Sequence, residues 1–161
     1  MFCVAWCSFS AQRRTIQPEA LLRAQPFRSK RGRAYQLQAA IAALHVQAPS
    51  AAETDWTQIS HLYFALLRVH PSPVVELNAA VALAMAGGMA EAICWMEKIE
   101  QRGYLAEYHL LYAARADLHR RQQNFPAAAA DYQRALALVR HEGERVYLQR
   151  RLQELNGHAD R

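Results

Sequence analysis

Residues 107–140 read EYHLLYAARADLHRRQQNFPAAAADYQRALALVR. On both sides of Asn124-Phe125-Pro126 the apolar and small side chains recur at spacings of three and four, which predicts two helices joined by a tight turn. An earlier stretch, AGGMAEAICWMEKI, aligns with the region around that turn. Ala92 falls over Ala128, Met96 over Tyr132 and Ile99 over Ala135, a displacement of 36 residues. Two related helix pairs therefore stand in tandem.

The period is close to that of the tetratricopeptide (TPR) unit, in which small side chains mark the crossing of two helices and large ones fill the space beside it. In the second copy these positions are Tyr112, Ala116, Phe125, Ala128, Tyr132 and Ala135; the first copy, with Ala80, Ala92, Met96 and Ile99, is degenerate. One such unit cannot hide its apolar face alone, so further helices are expected on either side. Upstream, AYQLQAAIAALHVQA (from Ala34) carries a stripe of Leu37, Ile41, Leu44 and Ala48 and is closed by Pro49. Asp55 with Gln58 opens a second helix in the manner of a capping box, and the helix runs to His70 before Pro71. Ser72 with Pro73 opens a third, which runs to Gly87-Gly88. AEAICWMEKIEQ is the fourth, the pair around Asn124 supplies the fifth and sixth, and GERVYLQRRLQEL closes the array as the seventh, its Arg and Glu facing outward. The expected class is all-α, a TPR-like helical repeat of about seven helices in antiparallel pairs. It spans 34–156, between an irregular basic leader at 1–33 and a disordered tail at 157–161.

Composition agrees with one globular domain: 161 residues, 52% hydrophobic, 20% charged and only 6 Gly. The longest uncharged apolar stretch, Asn78 to Gly88, is too short to span a membrane. Charge is unevenly divided. Residues 1–33 carry seven Arg and Lys against Glu19 alone, whereas the remainder carries 12 basic and 13 acidic residues. The body is thus close to neutral, and sequence-specific DNA binding is not expected of it. Cys3, Cys7 and Cys94 are too few and too scattered for a disulfide framework or a zinc site, which suits a reducing cytoplasm. The seven His show no metal-ligand spacing, and no nucleophile elbow, phosphate loop or dinucleotide fingerprint is present, so no metal, cofactor or enzymatic activity is expected. The basic run RSKRGR is equally readable as an anion contact or as a solvated tail.

The candidate partner-binding residues are Asp55, Trp56, Asn78, Tyr108, His109, Arg115, Asp117 and Arg134. Asn78, Arg115 and Asp117 are polar groups on Ala-rich helices. They suit gripping a partner's backbone or carboxylate, and equally suit pairing within the chain. Trp56 and Tyr63 read as core anchors or as interface anchors.

Beyond these patterns, residues of about 32 to 155 resemble the C-terminal extension of TPR-bearing extracytoplasmic-function (ECF) sigma factors. The stretches carrying the resemblance are YQLQAAIAALH, TDWTQISHLYFALLRVHPSPVVELNAAVALA, YHLLYAARADLHRR and AAAADYQRALALVRHEGERVYLQRRLQEL. What it implies is a cytoplasmic, monomeric, non-enzymatic regulatory domain acting in transcription initiation through contacts with sigma domains or RNA polymerase. Nothing in 1–33 looks like sigma domains 2 and 4, so no promoter recognition is expected. The break in composition near Gly32 suggests a shifted reading frame or misassigned start before a fragment of a longer gene. Tyr112 stands where the family pattern has Pro, which predicts a straighter fifth helix. The alternative is a free-standing adaptor holding a peptide segment in its concave groove.

Overall fold

The computed structural model describes residues 29–50 and 52–159, and every regular element among them is a helix. They are α1 (Lys30–Gln47), α2 (Trp56–Val69), α3 (Pro73–Met85), α4 (Met89–Gln101), α5 (His109–Arg121), α6 (Phe125–Leu138) and α7 (Glu142–Ala159). The fold is all-α, as the periodicity predicts. By contacts the chain divides inside α4 into one unit ending at Ala92 and another beginning at Ile93. The span 34–156, expected as one domain, covers parts of both.

In the first unit α1 packs on α2 and α2 on α3. Helix α1 begins four residues before Ala34, which corrects the leader boundary. The Ser29 hydroxyl accepts from the Gly32 amide at 3.1 Å and so satisfies an orphan donor of the first turn. The rest of the leader, 1–28 with Cys3 and Cys7, lies outside the described residues. At the other end Ala48 turns extended before Pro49, as a residue preceding proline must. Ile41 and Leu44 of the expected stripe are buried with Ala40 and Ala43, whereas Leu37 and Ala48 are half-buried. Asp55 caps α2 by accepting from the Gln58 amide at 2.8 Å, and Ile59, Leu62, Tyr63 and Leu66 form its inner face. Pro73 opens α3, although the Ser72 side chain makes no cap bond.

The second unit holds the rest of α4 with α5, α6 and α7; α5 and α6 share its most extensive contact, and α6 also packs on α7. Ala116, Ala128 and Ala135 are fully buried, so nothing larger than a methyl group separates the helices there. Tyr112 and Tyr132 fill the adjoining space, at 0% and 1% exposure. Tyr112 is the fourth residue of α5, at the end of its first turn. Arg145 of α7 donates to the Leu136 and Val139 carbonyls at 3.4 and 2.8 Å, capping the end of α6. Leu148 and Leu155 are the buried side of α7, and Gln149, Arg150, Gln153 and Glu154 are exposed. The helix continues to Ala159 rather than giving way to a tail at 157, because a helix already nucleated extends over weak formers at little cost.

The internal repeat is visible in the way two helices end. After α3, the Gly87 amide donates to Ala84 and the Gly88 amide to Leu83, with Gly87 at φ +108°. After α5, the Gln123 amide donates to Arg120 and the Asn124 amide to His119, with Gln123 at φ 61°. Both are Schellman closures, and each atom of one lies 36 residues from its counterpart in the other. These matching turns and the alanine crossings are compatible with TPR-like packing.

Candidate functional site

A charged cluster in the second unit holds α4, α5 and α6 together. Helix α5 directs Arg115 inward, where it is 8% exposed beside Asp131, itself 7% exposed. Its guanidinium forks the Asp131 carboxylate, Nε to Oδ2 at 2.8 Å and Nη2 to Oδ1 at 2.7 Å. Nη1 donates to Glu100 Oε2 at 2.6 Å. The hydrogen bond to Asp131 first, and that to Glu100 after it, raise the Arg115 pKa against the opposing effect of burial. Arg134 stands outside this pair, 3.8 Å from Glu100, with its guanidinium 4.8 Å from the centre of the Tyr112 ring. Arg115 approaches the same ring at 5.7 Å. The Tyr112 hydroxyl donates to the Ala106 carbonyl at 3.0 Å. Burial, and next the Glu100 charge, push its pKa up.

Arg115 is thus engaged by its own chain, so of the two readings of this residue the internal pairing is what the geometry displays. Asp117 behaves likewise, accepting from Arg120 at 2.6 Å and Arg121 at 2.8 Å. Burial alone would raise the Asp117 carboxyl, but the two arginine hydrogen bonds outweigh it and hold its pKa below the ordinary value. Tyr132 is pushed up to about 12, by burial first and by the Asp117 charge second. Arg134 keeps a side chain 58% exposed and is the member of the cluster open to a partner.

Tyr108 and His109 lie at the start of α5. His109 Nε2 is 3.2 Å from Glu144 Oε2 on α7, an ion pair when the ring is protonated. Burial and then the Glu144 charge raise the Tyr108 pKa. The remaining candidates belong to the first unit. Asp55 is spent as the α2 cap, and Trp56 is half-buried with its ring edge-on to His45 at 5.2 Å. Asn78 is half-buried on α3, between the buried Leu77 and Ala79. The structure therefore unites Arg115 with Arg134, and Tyr108 with His109. Asp117 forms a separate clamp.

Glu100 and Asp131 are the partners that sequence reading missed. A signal for Asp131 existed. In a helical hairpin turning at Gln123, residues equally distant from the turn face each other, which pairs Arg115 with Asp131 and Tyr112 with Arg134. Glu100 lies on another helix and offers no such rule. Among the described residues no group of three His, Cys, Asp or Glu is placed to hold a metal ion. No helix of the described residues is long and apolar enough to cross a membrane.

No family model matches the chain, and no solved structure matches it. The chain is 38% identical over 128 residues to an uncharacterized protein of Rhizobium meliloti (strain 1021). The match covers 80% of this chain and 30% of that protein, so the chain spans about three tenths of its relative's length.

Proposed function

We propose that this chain is a non-enzymatic regulatory domain of the ECF sigma factor type, acting in transcription initiation by binding sigma domains or RNA polymerase without reading promoter DNA itself. The observation that carries the reading is the pair of Schellman closures with matching hydrogen bonds 36 residues apart. Tandem helix pairs that stack present extended surfaces, and the characteristic use of such surfaces is protein contact. The near-neutral body suits a protein partner better than a polyanion. Such a partner would place the chain in the cytoplasm.

The test immobilises the full chain and offers it purified bacterial core RNA polymerase, with and without an ECF sigma factor freed of its own extension. Retention of either protein is the expected result. Failure to retain both would end this reading, and capture of unrelated peptides instead would favour the free-standing adaptor.

A further inference from the structure

We propose that the outward face of α1, with the cleft at its N-terminal end, is a docking surface for an acidic amphipathic helix of a partner protein. Tyr35, Ala39, Ala42 and Val46 follow one another at four, three and four residues, and all are exposed, Tyr35 at 61% and Val46 at 42%. They form one uncharged stripe on the side of α1 opposite Ile41 and Leu44. From Tyr35 to Val46 the exposed side chains of α1 are Tyr35, Gln38, Ala39, Ala42 and Val46, none of them charged.

The charge at its start names the chemistry of the occupant. From Lys30 to Gln47 there is no Asp or Glu, while Lys30, Arg31 and Arg33 crowd the first turn, at the positive end of the helix dipole. Among the described residues none of these three has a carboxylate in ion-pair contact. Lys30, Arg31, Tyr35 and Gln38, with Val69 and His70 from the end of α2, line an open cleft of about 590 Å³. Arg31, Tyr35, Gln38 and Ala42 lie on one helical line, so the cleft opens directly onto the stripe. A helix laid along α1 would set apolar anchors against Tyr35 to Val46 and glutamates into the basic end. The chain's own residues 1–28 carry four Arg against one Glu, so their charge does not complement this end of α1. A second α1 brings no carboxylate either. The surface belongs to α1 and the end of α2, so it stands or falls independently of polymerase binding.

The test titrates the full chain into a fluorescein-labelled designed helix with leucines on one face and glutamates at one end, and into a twin with lysines for the glutamates. Fluorescence polarisation is expected to favour the glutamate peptide by about tenfold or more, with the preference shrinking in high salt. The double variant Lys30→Glu/Arg31→Glu is expected to reverse the preference, and Val46→Asp to weaken both peptides; helicity by circular dichroism confirms that the variants fold. Equal binding of the two peptides, no binding, or indifference to Val46→Asp overturns the proposal. So does self-association lost in Val46→Asp, binding gained only when 1–28 is deleted, or binding to phosphatidylglycerol vesicles without peptide binding. Those results assign the surface to a second copy, to the leader or to lipid.

Discussion

Arg115→Met isolates the energetic role of the buried cluster. The substitution keeps an unbranched apolar stem but removes three short hydrogen bonds, two to Asp131 and one to Glu100. Asp131, 7% exposed, is then left as a buried carboxylate beside which, among the described residues, His119 stands at 4.0 Å. Breaking a buried pair in this way costs about 3–5 kcal/mol. For a chain of this size that corresponds to a fall in Tm of about 6–20 °C. The Glu100 side chain, 25% exposed and 3.8 Å from Arg134, can rehydrate and adds little. Asp131→Leu in the same background removes the stranded charge, so the double variant should recover much of the loss, with a coupling of about 2–3 kcal/mol. Urea unfolding of the four proteins, followed at 222 nm, closes the cycle. A single-variant cost below about 1 kcal/mol, or additive single effects, would refute the view that Arg115 acts through Asp131.

The matching turns make opposite predictions for their left-handed residues. Gln123→Gly should stabilise the chain by about 0.5–1 kcal/mol and Gly87→Ala should destabilise it by about 1 kcal/mol, both read as urea midpoints. Ala128→Leu places three extra carbons where α6 is fully buried, and thermal melts should show a loss of about 1–3 kcal/mol. Removal of the cap bond in Asp55→Ala should cost about 1 kcal/mol, whereas Asp55→Asn should cost much less. Burial lowers the His45 pKa from its ordinary 6.5. The unfolded chain therefore takes up this proton first, and stability falls as pH drops from above 6.5 toward the folded value. His45→Phe should flatten the stability profile by up to about 1.4 kcal/mol per pH unit in that window. A profile parallel to that of the parent chain would contradict it.

Helix order and most helix ends were legible because local chemistry decides them. Asp55, Pro73, Gly87 and Asn124 each act within one turn, and each stands where its side chain or φ predicts. The start of α1 was misplaced because Gly32 and a run of cations suggest irregular chain, whereas Ser29 supplies a cap three residues upstream. The end of α7 was set too early for a similar reason, since Asn156 and Gly157 look like a stop but follow an established helix. Among the candidate site residues, Arg115 was recognisable as a polar group on an Ala-rich helix. Its partners depend on which helices meet, and periodicity contains that information for Asp131 alone, through symmetry about the turn. Arg134 takes its place from the tertiary structure, which sets its guanidinium over the Tyr112 ring. The exposed stripe of α1 escaped notice because sequence reading credits apolar residues at helical spacing to a core, and Tyr35, Ala39, Ala42 and Val46 look no different from Ile41 and Leu44 until burial is known.

The most direct test of the regulatory reading is transcription in a purified system, using an ECF sigma factor reduced to its two promoter- and polymerase-binding domains and this chain added separately. The account predicts that the added chain changes transcript yield severalfold in a dose-dependent way while leaving promoter choice unaltered. A yield that stays flat across a saturating titration, with no binding to sigma domains or polymerase, would contradict it.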